Sequence, residues 1–576
     1  MRGRWTRSFG KLHAMPAALL ALLLCVPAAS APKDPVMDAL QTELARSYKA
    51  LSKDDPKNPL YHLAYQAVEL RTRTLASVLG SILHDSSDAR RSLDVDARVG
   101  GLRLDNTHQI KGAESAGHLD ASAAGDLPLD DDSLALRQAA WVLTDRAYKE
   151  AQGRYTKVAA DKAVTAGDAD GSDDFTMAAP HRYAEEPAPP PADLAPWRPA
   201  LKRLSAAAGR HPFVVSSQVT LNSESRRSWY LDSEGASVAQ SASSVRLDMT
   251  VAGRTADGMA LDRSRGWEAR DLASLPSEAE AGAALARLAD ELDSLLKAPD
   301  AEPYHGPAVF RSTAAAVFFH EILGHRLEGH RQKLESEGQT FAKMLGEPVT
   351  APFLSVYDDP ALASLGGRPL NGHYAYDDEG QPARRAQLVK DGLLTGFLMS
   401  RAPIAAVPAS NGHGRRSTGN RATGRMANLV VAASKTVPEA ELRRLFKAEL
   451  KRQKLPWGLW FEDVEGGNTT TSRDGPQAFQ VVPKLVYKVY VDGRPDDAVR
   501  GVNIVGTPLA SFTKITAAAS DRGVFNGVCG AESGWVPVSA SAPTLLLSEL
   551  EVEKQVKDAE KPPLLPPPHH DPAEAR

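Results

Sequence analysis

The stretch that decides the fold is residues 314–332, AAAVFFHEILGHRLEGHRQ, in which three histidines and two glutamates follow a run of small and apolar residues. Positions 314–319 are all apolar, which predicts that the helix beginning here is buried. A buried His-Glu pair directly after such a run is costly unless each group has a partner, and metal ligation is one such partnership. The stretch therefore suggests a metal site on a buried helix.

The spacing of the histidines differs from that of the common zinc-protease helix. In HExxH the two histidines are four residues apart and share one helix face, whereas here position 324 is glycine and the pair is His320 and His325. At ~100° per residue, five steps leave the two side chains roughly 140° apart on a regular helix. They can converge if a π-bulge widens the turn, or if the helix ends or bends at Gly324. In either arrangement Glu321 would lie beside the ion, where it could take a proton from water.

A third ligand is needed, and Cys529, in the Gly-rich segment FNGVCGAESG, is the candidate. Two imidazoles and one thiolate leave a fourth position for water, as in catalytic zinc sites. Alternatively, Cys529 is a small buried hydrophobe, or the nucleophile of a cysteine peptidase with a histidine base. A non-enzyme hypothesis makes the chain a binding or scaffold subunit with structural zinc, its coordination closed by a fourth ligand such as His330.

The amino-terminal residues predict export. A basic segment, MRGRWTRSFGK, precedes a short apolar run that ends in small residues, which is the pattern of a secretory signal peptide cleaved between positions 27 and 31. A membrane anchor or a buried helix is the alternative. Removing residues 1–31 takes away four positive charges and no negative ones, so the net charge changes from −4 to −8. A mildly acidic chain without a basic block argues against nucleic acid as the main partner. The lack of a second long apolar run argues against a membrane span in the mature protein. Cys529 is then the only cysteine, so its thiol is unpaired, bridged to another chain or bound to a ligand.

The 576 residues are expected to form two or three domains with an α+β fold. We predict an N-terminal α/β unit with antiparallel strands, followed by a β-rich C-terminal catalytic domain that carries a buried metal-binding helix. The predicted segments are a signal peptide at 1–31, an N-terminal α+β domain at 32–165, a Pro-rich linker at 166–205, a central strand meander and helix at 206–300, the C-terminal domain at 301–555 and a disordered tail at 556–576.

The segment HEILGHRLEG resembles the HExxxH-x-LEG segment of the TldD/PmbA family, metallopeptidases once called modulators of DNA gyrase. Further segments are similar to later parts of that family, namely YHGPAVFRSTAAAVFFHE, YDDEGQPARRAQLVKDGLLTGFLMSR, NGHGRRSTGNRATGRMANLVV, AVRGVNIVGTPL and GVCGAESGWVPVSASAPTLL. The resemblance covers most of 301–550 and is thinner over 32–300.

The resemblance implies that zinc is held by His320, His325 and Cys529, with Glu321 as the general base. It implies substrates that are unfolded or flexible peptides, threaded into an enclosed cavity and bound main chain to main chain by strand addition. It also implies a dimer, either of like subunits or of an active and a metal-free partner. Because this chain keeps the ligand residues, it resembles the active kind.

The chain departs from the family at two positions beside the motif. Familiar members read HGLEGD where this chain reads HRLEGH, so Arg326 and His330 alter the surroundings of the ligands. Familiar members are also cytosolic, whereas this chain is predicted to be exported. The basic segment GRRSTGNRATGR could line the cleft or be a solvated loop, and His305, His373 and His413 have no spacing partner.

Overall fold

A computed structural model describes residues 34–110, 123–164, 170–473, 479–505 and 508–555, with the isolated positions 565, 567 and 568. The predicted signal peptide lies outside the described residues, as does the predicted tail apart from those three positions. No helix in the described part of the chain is long and apolar enough to cross a membrane.

The first half of the chain forms one eight-stranded sheet with helices on it. The strands run in the order β3-β2-β1-β6-β7-β5, with β4 beside β2 and β8 beside β7. The elements are α1 (Pro35–Leu51), β1 (Leu60–Val78), β2 (Ser81–Gly101), β3 (Leu104–Asp105), β4 (Ala123–Asp126), α2 (Ser133–Val164), β5 (Arg182–Ala184), α3 (Arg198–Ala208), β6 (Ser216–Asp232), β7 (Ser237–Arg254), β8 (Ala260–Ala269) and α4 (Glu278–Lys297).

The two faces of this sheet have different partners, because successive side chains of a strand point to opposite sides. On β1, Leu63 and Tyr65 join the apolar core beneath α1 and α2. Between them Ala64 packs with Tyr376 of the second half of the chain, and Gln66 donates from Nε2 to Asp378 Oδ1. One face therefore carries helices, and the other face packs against the second half of the chain.

The second half contains a six-stranded sheet in the order β14-β13-β10-β17-β24-β23 and a seven-stranded sheet in the order β20-β19-β18-β9-β25-β21, with β22 beside β25. Its helices are α5 (Ser312–Phe319), α6 (Glu439–Arg452) and α7 (Pro508–Thr513). Its strands are β9 (Tyr304–Phe310), β10 (Leu354–Asp358), β11 (Ser364–Leu365), β12 (Arg368–Pro369), β13 (Ala386–Lys390), β14 (Leu393–Leu394), β15 (Gly414–Arg415), β16 (Thr423–Gly424), β17 (Asn428–Ala433), β18 (Trp457–Thr469), β19 (Phe479–Tyr490), β20 (Asp497–Val499), β21 (Val502–Val505), β22 (Ile515–Ala518), β23 (Gly523–Ala531), β24 (Gly534–Ala542) and β25 (Leu545–Lys554).

Helix α5 lies in the core of this second half and contacts strands of both sheets, β23 and β24 on one side and β9 and β18 on the other. Its residues from Ala314 to Phe319 are fully buried, as expected of a helix that is apolar all round. The Phe318 ring packs against the rings of Phe310 and Phe512. The packing of α5 fixes the position of the residues that follow it.

The predicted α+β class is confirmed. The N-terminal sheet is antiparallel except where the short β5 pairs with β7, and the second half is strand-rich around a buried helix. Asp391 and Gly392, a residue pair typical of tight hairpin turns, join β13 to β14, and both residues have positive φ, 49° and 81°, as a type I′ turn requires. The domain boundaries stay predictions. Strands from the predicted N-terminal domain and from the predicted meander share one sheet, since β1 pairs with β6.

The segment predicted as a Pro-rich linker makes defined contacts on both sides. Phe175 is buried, and its ring lies under the guanidinium of Arg98 from β2 and that of Arg401 from the second half, at 3.7 and 4.1 Å. The backbone N–H of Thr176 donates to the Arg401 carbonyl. Helix α3 begins within the same segment, although the Pro-rich composition there predicted a linker.

Candidate metal centre

The helix that carries the two motif histidines widens where they lie. Helix α5 passes into one π-helical turn over His320–Gly324, and a 3₁₀ turn over His325–Leu327 follows. The backbone N–H of His325 donates to the carbonyl of His320, five residues earlier. As a result the two imidazole rings lie with their centroids 5.1 Å apart and their planes at 83°. This is the first of the two arrangements that the spacing left open.

Gly324 is needed for space rather than for a bend. Its φ of −54° and ψ of −55° are ordinary helical values. A Cβ added there would lie 2.0 Å from Met426 Sδ, well inside van der Waals contact. The glycine therefore lets Met426 pack directly against the backbone of the π turn.

The third candidate ligand arrives from strand β23. The sulfur of Cys529 lies 3.3 Å from His325 Nε2, and ligand atoms of His320, His325 and Cys529 all lie within 4.8 Å of one another. All three residues are buried. The structure thus brings together the three residues singled out from the sequence, while their role as metal ligands stays a prediction.

His325 is oriented by a buried carboxylate on its other ring nitrogen. Its Nδ1 lies 3.3 Å from Glu328 Oε1, which leaves Nε2 facing Cys529. Glu328 is itself fully buried and accepts hydrogen bonds from Arg331 Nε at 2.9 Å and from Arg425 Nε at 3.1 Å. Although burial alone would raise the pKa of Glu328, the charges of His325 and Arg331 outweigh it and hold that pKa well below its usual range. A carboxylate behind a ligating histidine is a common second layer of metal sites.

The three candidate ligands also perturb one another electrostatically. Burial would raise the pKa of the Cys529 thiol, but the nearby imidazoles of His325 and His320 lower it well below its usual value. Burial would lower the pKa of His325, but the Cys529 and Glu328 charges raise it well above its ordinary value. These charges favour the thiolate form of Cys529 over the thiol, and the thiolate is the form that binds metals.

Two buried polar atoms at this centre have no hydrogen-bond partner among the described residues, namely Glu321 Oε2 and His320 Nδ1. Glu321 Oε2 lies 4.0 Å from His325 Nε2. Burial raises the pKa of Glu321, and the imidazoles of His320 and His325 offset this only in part. A carboxylate oxygen left unsatisfied beside two imidazoles and a thiolate fits a site built to hold a metal ion and a water molecule.

The two residues that depart from the family pattern lie beside this cluster, not in it. Arg326 donates from Nη1 to the Ile322 carbonyl of the π turn at 3.1 Å and to Thr469 Oγ1 at 2.6 Å. Burial lowers its pKa to about 10. His330 Nε2 lies 3.4 Å from Glu532 Oε1, so His330 does not close the coordination of the three candidate ligands.

Sequence reasoning missed Arg425, which contacts the cluster directly. Its guanidinium is fully buried, and Nη2 donates to Cys529 Sγ at 3.2 Å. The basic segment that contains it is not a solvated loop, since Arg415 and Arg416 are buried as well. No spacing rule links position 425 to position 529, so the sequence carried no signal for this contact.

Comparison with known proteins agrees with this geometry. The family described as "PmbA/TldA metallopeptidase C-terminal domain" matches residues 303–554, which include all three candidate ligands. Residues 303–554 therefore belong to the TldD/PmbA family. The metalloprotease TldD homolog of Haemophilus influenzae is 28% identical over 252 residues, which are 43% of this chain and 48% of that protein.

A second family member is the zinc metalloprotease TldD homolog of Saccharolobus solfataricus, which is 24% identical over 271 residues, 46% of this chain and 56% of that protein. The aligned part of the chain thus spans about half the length of these curated relatives. The crystal structure of TldE from Thermococcus kodakarensis aligns with 89% of this chain and 100% of that one at a TM-score of 0.59. At 16% identity, this similarity shows the fold.

Proposed function

We propose that this TldD/PmbA family member is a zinc-dependent peptidase that hydrolyses peptide bonds in unfolded or flexible polypeptides. The observation that carries the proposal is the buried Glu321 carboxylate, which has an oxygen without a partner among the described residues, beside the convergent His320, His325 and Cys529. Three protein ligands rather than four are the mark of a catalytic zinc site, which keeps one position open.

When bound, zinc supplies Lewis acidity, which lowers the pKa of a water molecule and polarises a peptide carbonyl. The residues of the chain would supply the rest. Glu321 would accept the proton of the water at its unpartnered Oε2 and pass it to the leaving amine. Glu328 would keep His325 in the tautomer that presents Nε2 to the ion, because Nδ1 faces its carboxylate at 3.3 Å. Burial of all these groups would exclude bulk water from the site.

The location of Cys529 supports a peptide as the substrate. Strand β23, which carries Cys529, is the last strand of the six-stranded sheet and has β24 as its only strand partner among the described residues. Its free backbone edge therefore lies next to the candidate ligands. An extended peptide could add to that edge through main-chain hydrogen bonds, with little dependence on sequence.

Assembly and location are parts of the proposal that rest on the sequence alone. We propose a dimer, either of two copies or with a related subunit, and export through the signal peptide at 1–31. The mature protein would then act in the periplasm or outside the cell.

The deciding experiment is the Glu321→Gln variant, with the exposed Glu335→Gln as a matched control. We expect Glu321→Gln to keep its zinc but to cleave an unfolded protein at least ~100-fold more slowly, because a positioned base contributes on the order of 10²–10⁴-fold. Glu335→Gln should cleave at the wild-type rate. Normal cleavage by Glu321→Gln would show that the base is another group.

Metal removal separates this proposal from a cysteine peptidase. Dialysis against a chelator should abolish cleavage, and added zinc should restore it. A peptidase with Cys529 as the nucleophile would instead keep its activity without metal and lose it on alkylation of the thiol.

A further inference from the structure

Arg425 contacts both segments of the chain that meet at the metal centre, the one that carries Glu328 and the one that carries Cys529. It lies between β16 (Thr423–Gly424) and β17 (Asn428–Ala433), and its side chain is fully buried. Its Nε donates to Glu328 Oε1 at 3.1 Å, and its Nη2 donates to Cys529 Sγ at 3.2 Å. One guanidinium thus contacts a candidate ligand and the carboxylate that orients another candidate ligand, His325.

All five N–H donors of this guanidinium have a partner. Besides the bonds to Glu328 and to the Cys529 sulfur, Nη2 donates to the Cys529 carbonyl at 2.9 Å. The two N–H groups of Nη1 donate to Ser533 Oγ at 2.8 Å and to the Gly534 carbonyl at 3.1 Å. The planar guanidinium therefore contacts three residues in and beside the turn between β23 and β24. Lysine, with a single nitrogen, could not reach all of these partners.

The neighbours of Arg425 hold its backbone in place. A Cβ on Gly424 would lie 2.1 Å from the Leu398 carbonyl oxygen, and Met426 packs on Gly324 of the π turn. The backbone N–H of Arg425 donates to the carbonyl of His413. Close packing on both sides fixes the residue against the turn that carries the two histidines.

We propose that Arg425 is the positioning residue that assembles the metal centre. It holds the Cys529 sulfur at the distance from His325 that a shared ion needs, and it keeps Glu328 behind His325. Its N–H bond to the sulfur also withdraws electron density from the thiolate, which leaves a bound metal more strongly Lewis-acidic. This inference rests on the proposed function, because it assigns Arg425 a role toward the metal of that site.

The test measures Co²⁺ binding to the full-length chain, since a cobalt–thiolate bond gives a near-ultraviolet charge-transfer band that reports on the sulfur. The variants are Arg425→Met, which removes the charge and every donor, and Arg425→Lys, which keeps the charge. The control is Arg415→Lys, in which a buried arginine of the same segment that donates to the carbonyls of Met426 and Pro537 is replaced.

We expect Arg425→Met to bind Co²⁺ about 10–100-fold more weakly than the wild type, the usual effect of losing a partner of a metal ligand. Its charge-transfer band should move to longer wavelength, because the sulfur loses an N–H donor. Arg425→Lys should show a smaller change in the same direction, and Arg415→Lys should match the wild type in affinity and band position.

Either Arg425 variant, folded as judged by circular dichroism, would overturn the proposal if it bound Co²⁺ with wild-type affinity and an unmoved band. Loss of folding in both Arg425 variants, with Arg415→Lys still folded, would assign Arg425 to stability and also overturn the positioning role. A wild-type chain that binds no Co²⁺ would instead contradict the proposed function itself, so the two failures are distinguishable.

Discussion

Gly324 and Met426 set how closely the segment around Arg425 approaches the two histidines. The backbone of Gly324 has ordinary helical dihedral angles, so glycine is required there because it has no side chain. Since a Cβ there would overlap Met426 Sδ, any larger residue must push the π turn and the segment 424–426 apart. At the scale of single residues, the geometry of the candidate metal centre therefore depends on a contact between two residues outside the candidate ligand set.

Gly324→Ala should destabilise the protein by about 1–3 kcal/mol, the usual cost of overpacking a tight core, and should weaken zinc binding as well. Thermal unfolding and competitive zinc titration would measure the two effects. Gly466→Ala is the control, because a Cβ there meets nothing within 4 Å. Equal stability and zinc affinity in the two variants would contradict the assigned role of Gly324.

Protonation of Glu532 should account for part of the stability that the protein loses at acid pH. Burial would raise its pKa, but the charges of His330 and Arg331 lower it to about 2, from about 4.3 in an unfolded chain. A carboxylate with a depressed pKa contributes stability above its unfolded pKa, and the contribution is lost as the pH falls toward the folded value.

For metal-free protein, we expect the free energy of unfolding to decrease as the pH is lowered from about 5 to about 3. The decrease should be roughly 1–3 kcal/mol larger in the wild type than in Glu532→Gln. Denaturant unfolding at several pH values would measure the difference. Glu441→Gln should keep the wild-type slope, because the exposed pair of Glu441 with Arg444 is screened by solvent. Parallel curves for wild type and Glu532→Gln would refute the assignment.

The candidate ligands could be predicted from the sequence, whereas the residues that hold them could not. His320, Glu321 and His325 lie within six positions of one another, and Cys529 stands out because a mature exported chain would have no other cysteine. Arg425 touches Cys529 and Glu328 only because three distant segments fold together. Tertiary contacts of this kind leave no periodic or spacing signal in one sequence.

At the scale of elements, the π turn and the edge strand β23 together make the site. The sequence left open whether the helix widens or bends, because both solutions bring residues five apart into line. The choice depends on packing: α5 is buried on all sides and its backbone stays helical through Gly324, so the helix gains one residue in its turn instead. The strand supplies the third candidate ligand, and its outer backbone edge pairs with no strand in the described part of the chain.

If substrates bind to the outer edge of β23 by strand addition, their cleavage should depend on free backbone N–H groups. A flexible peptide and a copy with N-methyl groups on alternate amides on both sides of the scissile bond should differ at least ~10-fold in kcat/KM, because methylation removes N–H donors that strand addition uses. A copy methylated only far from the cleavage site is the control. Equal cleavage of all three peptides would argue against binding at this edge.

At the scale of the whole molecule, the N-terminal sheet covers the half that carries the site. Its helix-free face meets the loops around 376–421, with the Gly419 N–H donating to Asp94 Oδ1 and Arg401 pairing with Glu234. The strand meander expected at 206–300 contains β6 and β7, but nothing in the sequence showed that β1 and β6 pair across 137 intervening residues. Likewise, Pro-rich composition suggested a linker, although the segment around Phe175 connects the two halves.

Phe175→Leu should therefore destabilise the chain more than an ordinary buried Phe→Leu change, by about 1–2 kcal/mol, because it also removes two contacts with guanidinium groups. The control is Phe341→Leu, a fully buried ring with no arginine over it among the described residues. Denaturant unfolding followed by tryptophan fluorescence would compare the two. Equal losses would mean that the contacts with Arg98 and Arg401 add nothing to stability.

X-ray absorption spectroscopy of the zinc-loaded protein, compared with Cys529→Ser, tests whether His320, His325 and Cys529 bind one ion. The wild-type spectrum should show one sulfur at about 2.3 Å and two imidazole nitrogens at about 2.0–2.1 Å from zinc, completed by an oxygen from water. The sulfur shell should vanish in Cys529→Ser. A wild-type spectrum with only nitrogen and oxygen neighbours, or with more than one sulfur, would contradict the convergence of His320, His325 and Cys529 on a single ion.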